Sequence, residues 1–147
     1  MLLALPRPVP AATGDLIPLE GPGGAPYEAL DLTRGATILV VWASWSPRCR
    51  DVGPRIDRLA DTWSGTARIA SVVFQETPEE VREHLAGGKL RSPVYIDSSG
   101  DFSQQHAVTT LPMLLIFRDG ELAFRGRLSA DPDPVIERVL GSGPASE

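Results

Sequence analysis

The chain has 147 residues, 42% of them hydrophobic and 22% charged, with a net charge of −5 and one cysteine. That length suits a single domain with one well-buried core, and the acidic balance argues against a nucleic-acid-binding surface. One cysteine excludes a disulfide within the chain, and no apolar stretch approaches the roughly 20 residues that a membrane-spanning helix needs.

The first residues, Met1-Leu2-Leu3-Ala4-Leu5-Pro6, carry no basic leader. Their apolar run ends after about five residues, short of a signal-peptide core. The expectation is a cytoplasmic protein as written, or a periplasmic or otherwise extracytoplasmic one if an export signal has been removed. Residues 1–26 are rich in proline and glycine and read as an extended arm with a short strand near Leu16-Ile17. The domain proper is expected over residues 27–141, with a flexible tail over 142–147. Tyr27 to Leu32 reads as an edge strand and Thr33-Arg34-Gly35 as a turn. Thr37 to Trp42 is continuously apolar apart from its first residue, as a strand buried on both faces should be.

A helix is predicted from about Pro47 to Trp63, because Val52, Ile56, Leu59 and Trp63 recur at helical spacing. Pro54 lies inside that pattern and should kink it by removing a backbone donor. Ala67 to Phe74 is a second buried strand. Thr77-Pro78-Glu79-Glu80 has the pattern of a capping box, with Pro78 at the first helical position; that helix should end at Gly87-Gly88. Val94-Tyr95-Ile96 is a short strand, Asp97-Ser98-Ser99-Gly100 a turn, and Asp101 to His106 one or two helical turns. Met113 to Arg118 and Glu121 to Arg127 form a hairpin across Asp119-Gly120, a strong short-range turn signal. A last helix starts near the caps Asp131 and Asp133, turns Val135, Ile136, Val139 and Leu140 to one face, and stops at Gly141. The alternation of strands and helices predicts an α/β domain, a mixed central sheet flanked by helices, with an N-terminal extension.

The segment that carries chemistry is Trp42-Ala43-Ser44-Trp45-Ser46-Pro47-Arg48-Cys49, at the junction of the first central strand and the following helix. With Pro54 after it, Ser92-Pro93-Val94-Tyr95-Ile96-Asp97 further on, and Thr110-Leu111-Pro112 before the hairpin, it makes an ordered set. Over roughly residues 27–140 the chain resembles the thioredoxin-like superfamily, and within it the TlpA-like branch of bacterial thiol–disulfide proteins. The resemblance implies a thioredoxin-like fold with a strand-to-helix active-site turn. Ser46 and Cys49 stand in the places of the two cysteines of a C-x-x-C motif, and Leu111-Pro112 in the place of the family's cis-proline. It also implies a substrate groove bordered by Trp42, Trp45, Pro47, Arg48, Leu111 and Pro112, where an extended peptide can pair as an added strand. Two departures follow: Ser46 replaces the nucleophilic cysteine, and Val40 falls where thioredoxin has a buried carboxylate.

Several local effects bear on Cys49. The helix start, Arg48, Arg50 and a hydrogen bond from the Ser46 hydroxyl would all favour its thiolate, whereas burial would favour the thiol. The bland reading is that Cys49 is a small buried apolar residue. The bland reading of Ser46 is a helix cap ahead of Pro47. His84 and His106 read as surface or helix-packing residues; one cysteine without clustered histidines implies no metal site, and no cofactor is expected. With Cys49 and Ser46 as the catalytic candidates, the chain can do at most monothiol chemistry, forming mixed disulfides with protein or small-molecule thiols. The alternatives are a non-catalytic thioredoxin-fold binding module and a one-cysteine peroxidase.

Overall fold

The computed structural model describes residues 16–19, 30–85 and 90–141. Its elements are β1 (Ile17–Pro18), β2 (Ala36–Trp42), a 3-10 turn (Pro47–Cys49), α1 (Val52–Trp63), β3 (Arg68–Phe74), α2 (Pro78–Leu85), β4 (Val94–Asp97), α3 (Asp101–Gln105), β5 (Met113–Arg118), β6 (Glu121–Arg127) and α4 (Asp133–Leu140). The strands form one six-stranded sheet in the order β1-β4-β3-β2-β5-β6. β2, β3 and β4 run parallel, and β1, β5 and β6 are antiparallel to their neighbours. The expected α/β architecture with a mixed sheet is therefore present.

Side-chain alternation along the strands divides the core in two. Ile38, Val40 and Trp42 of β2, with Leu114 and Ile116 of β5, meet Val52, Ile56, Leu59 and Trp63 of α1, Val81 of α2 and Ile136 of α4. Leu39 and Val41, with Met113, Leu115 and Phe117, pack on the other face against Leu32 and Phe102 of α3. β2 is central and covered on both sides, which is why its sequence is nearly all apolar.

Side chains tie the layers together. The Trp63 indole N–H donates to Asp133 Oδ1 at 2.9 Å, and the Arg55 guanidinium donates to the Leu128 and Ser129 carbonyls at 2.8 and 2.7 Å. Both clasp α1 to the segment that leads from β6 into α4. The buried Asp97 carboxylate accepts from the amides of Gly100, Phe102 and Ser103 at 3.1, 3.2 and 2.8 Å, so the last residue of β4 anchors the start of α3. In the hairpin, Asp119 and Gly120 both have positive φ, 49° and 90°, as a two-residue turn with matching twist requires. The predicted capping box is formed: Thr77 N–H donates to Glu80 Oε1 at 2.9 Å, and Glu80 N–H donates to Thr77 Oγ1 at 3.1 Å.

The short strand expected near Leu16-Ile17 forms: Ile17 and Pro18 pair with Ile96 and Tyr95 at the edge of the sheet. Three expectations change. Residues 30–32 of the expected edge strand Tyr27–Leu32 form no ladder. There the Asp31 carboxylate accepts from the Thr33 amide at 2.9 Å, a local turn that competes with strand pairing. The helix from Pro47 does not run through with a kink at Pro54. It divides into the 3-10 turn and α1, leaving Pro54 in the first turn of α1, where a missing donor costs nothing. Asp131 and Asp133 make no cap hydrogen bond to α4, whose N-cap is Pro132; the Asp133 carboxylate serves Trp63 instead. The expected helix end at Gly87-Gly88, residues 27–29 and the tail 142–147 lie outside the described residues.

Candidate active-site turn and groove

The motif leaves the carboxyl end of β2 and folds back as a tight turn. Ser46 N–H donates to the Ala43 carbonyl at 3.3 Å, and Cys49 N–H donates to the Ser46 carbonyl at 3.0 Å. Ser46 does stand at the N-cap with Pro47 following, but its hydroxyl makes no cap bond. Nor does that hydroxyl donate to the Cys49 sulfur among the described residues. Cys49 ends the 3-10 turn and precedes α1, outside the helix's first turn. It is 2% exposed, packed in the α1-side core with Trp42, Val52 and Ile56.

The turn separates two spaces. A front groove of about 440 Å³ is lined by Trp45, Ser46, Arg48 and Phe74 together with the loop from Val108 to Leu111. A smaller cleft of about 230 Å³ between α1 and the end of α2 is lined by Trp42, Cys49, Arg50, Pro54 and His84, among others. Ser46 and Cys49, three residues apart, therefore open into different spaces. Of the residues expected to border the groove, Trp45, Arg48 and Leu111 line it. Trp42 lines the cleft instead, because its place in the β2 alternation, with Ile38 and Val40, turns it to the α1 face. Pro47 is exposed at the start of the turn, and Pro112 is buried after a cis Leu111–Pro112 bond. Trp45 is 59% exposed and its ring stands 6.3 Å from that of Phe74. A wider depression of about 1190 Å³ lies away from both, around Gly35, Arg68 and Arg91, and no motif residue is among its described lining.

The surroundings of Cys49 are mostly apolar. Val40, where a carboxylate would sit in thioredoxin, is fully buried in the same cluster. Asp57 lines the small cleft, but its carboxylate is engaged by the Arg91 amide at 3.3 Å and guanidinium at 3.7 Å. His84 is exposed, its ring 5.7 Å from Trp42. His106 is buried between Phe102 and Phe117, at 4.6 and 5.2 Å. Among the described residues, no three His, Cys, Asp or Glu side chains are grouped to hold a metal ion.

One residue of the site escaped the sequence reading. Glu76, between β3 and α2, is 5% exposed. Its carboxylate accepts from the Ser44 amide at 2.6 Å and from the Ser44 hydroxyl, fixing the turn that carries Trp45 and Ser46. The preceding residue, Gln75, has φ 54°, and this reversal turns the chain back toward the motif. In the sequence Glu76 looks like one more acid beside a capping box; its burial is set by a partner 32 residues away.

Comparisons with known proteins follow the same outline. The chain is 30% identical over 95 residues to thioredoxin of Chlorobaculum thiosulfatiphilum, covering 65% of this chain and 67% of that protein. It is 25% identical over 91 residues to sporulation thiol-disulfide oxidoreductase A of Bacillus subtilis, covering 58% of this chain and 55% of the relative. It thus spans little more than half of the latter's length. A crystal structure of the exposed lipoprotein thioredoxin of Streptococcus pneumoniae superposes with a TM-score of 0.67 at 21% identity, over 84% of this chain and 97% of that one. No protein-family model matches the chain. The chain belongs to the thioredoxin-like thiol–disulfide oxidoreductase superfamily. Among the described residues, no helix is long and apolar enough to cross a membrane.

Proposed function

We propose that this chain is a TlpA-like member of that superfamily that engages protein partners through the Trp45–Leu111 groove and reacts only as a monothiol. The observation that carries the proposal is the juxtaposition of Trp45, Ser46 and Arg48 with the Thr109–Leu111 loop around one open groove, with Cys49 buried behind the same turn. In the chemical step, the Cys49 thiolate attacks a partner disulfide. One Cys49–partner disulfide forms and one partner thiolate leaves. No second thiol exists in the chain, so an external thiol must attack the mixed disulfide to release the partner. Partners would be proteins or small molecules carrying thiols or disulfides. The exposed lipoprotein among the structural neighbours favours an extracytoplasmic setting over the cytoplasmic one.

A second reading, a groove-binding module without redox turnover, is favoured by the 2% exposure of Cys49. Thiol labelling separates the two. Alkylation of the folded protein only about tenfold slower than in denaturant would support monothiol exchange. Labelling that occurs only on unfolding would leave the binding module standing. Ser46→Cys tests the inherited scaffold. The new thiol would face the groove with Cys49 behind it, and the variant should gain disulfide-reductase activity with a dithiol reductant. A folded Ser46→Cys protein with no such activity would refute the proposed active-site geometry.

A further inference from the structure

We infer that Arg48 makes the front groove selective for an extended peptide segment in which a carboxylate side chain adjoins an apolar one. This rests on the proposal that the groove takes protein partners, and adds which partners it prefers. The groove wall is apolar at Trp45, Phe74, Val108 and Leu111, with Thr109 and Thr110 beside them, and among the described residues Arg48 is its one charged lining residue and no acid lines it, although the whole chain is acidic at −5.

The arginines of this protein differ in how they are employed. Arg55 is committed to the Leu128 and Ser129 carbonyls, Arg91 to Asp57 and Asp61, Arg118 to the Val139 carbonyl, and Arg68 to the Arg34 carbonyl. Arg48 is exposed and makes no ion pair or hydrogen bond among the described residues. A guanidinium presents a planar fork of donors that fits a carboxylate with two parallel hydrogen bonds. Beside it the exposed Trp45 ring offers a broad apolar face at little entropic cost. A peptide that lays a leucine-like side chain on Trp45 and Leu111 can bring a neighbouring aspartate or glutamate to Arg48. The overall negative charge disfavours acidic partners at long range, but beyond about 8 Å that field is screened at physiological salt. Selection is therefore local to the groove.

The test uses three labelled, cysteine-free peptides, identical except for one residue next to a leucine: aspartate, asparagine or lysine. Binding to the intact chain is followed by fluorescence anisotropy. The aspartate peptide should bind about fivefold tighter than the asparagine peptide and about tenfold or more tighter than the lysine peptide. The preference should shrink at high salt. Arg48→Glu should reverse the order and Arg48→Gln abolish it. Arg58→Glu, an equal charge change on the exposed face of α1, should leave it intact. Equal binding of the three peptides, or an unchanged order in Arg48→Glu, would overturn the inference. So would displacement of the aspartate peptide by free acetate at equal concentration, which would make a small carboxylate the occupant. If no peptide binds while Ser46→Cys gains reductase activity, the selectivity is refuted and the thiol–disulfide reading survives.

Discussion

Replacing Glu76 by alanine should loosen the motif turn, and the geometry sets the size of the effect. The carboxylate is nearly fully buried and accepts two hydrogen bonds from Ser44, the amide one at 2.6 Å. Hydrogen bonds to charged groups contribute about 1.5–3 kcal/mol each, and a donor left unsatisfied costs about 1–3 kcal/mol. The half-buried Ser44 hydroxyl can turn to water, and removing a buried charge recovers some desolvation cost. The net loss should therefore be about 2 kcal/mol. At about 3 °C per kcal/mol for a domain of this size, the melting temperature should fall by about 6 °C. Glu76→Gln keeps a carbonyl for the Ser44 amide and an NH₂ for its hydroxyl oxygen, and should lose only about 1 kcal/mol. Urea unfolding reads both through a shifted midpoint with an unchanged slope. A double-mutant cycle with Ser44→Ala should show coupling of about 1 kcal/mol. An alanine variant within about 0.5 kcal/mol of the parent, or zero coupling, would refute the view that Glu76 secures the turn.

Other substitutions test the surrounding framework. Gly100 has φ 84°, and a Cβ there would lie 2.9 Å from Gln75 Nε2 and 3.1 Å from Phe74 Cε1; Gly100→Ala should cost about 1–3 kcal/mol in chemical denaturation. The Thr37 hydroxyl is fully buried without a hydrogen-bond partner, so Thr37→Val should raise stability by about 1 kcal/mol, and a loss of stability would show that the hydroxyl is satisfied in solution. The Asp61 carboxyl is held below its ordinary value of 3.8 by the hydrogen bond and then the charge of Arg91. With the folded value depressed, the pair's small contribution is present above the unfolded value and is lost as pH falls through the folded one. An NMR titration should show Asp61 returning to its ordinary range in Arg91→Ala; an unchanged midpoint would exclude Arg91 as the cause.

Local patterns were the legible part of the chain. The nearly all-apolar β2, the α1 spacing of Val52, Ile56, Leu59 and Trp63, the Thr77–Glu80 capping box and the Asp119-Gly120 turn each depend on neighbours within a few residues, and each appears where the sequence places it. The misread elements are those decided by long-range partners. Asp133 looks like a cap, yet it answers Trp63, 70 residues away. Glu76 carries no local signal of its own, and it serves Ser44, 32 residues away. Pro54 promises a kink, yet the break falls earlier, where the turn at Pro47–Cys49 changes to α1. In the candidate site, the motif put Ser46 and Cys49 in one strand-to-helix turn, where the structure also has them. It gave no hint that the two would open into different spaces, because that depends on which face of β2 Trp42 takes and on how α2 closes over α1.

The three tryptophans of the chain occupy three distinct settings. Trp42 is 1% exposed beside Cys49, Trp63 is largely buried and donates to Asp133, and Trp45 is 59% exposed on the groove wall. Their emission should therefore sort by colour, with Trp45 alone red-shifted and open to acrylamide in the native state. Quenching of the red edge then reports occupancy of the groove, while the blue emission reports integrity of the α1-side core. One unlabelled chain thus carries separate optical channels for docking and for unfolding.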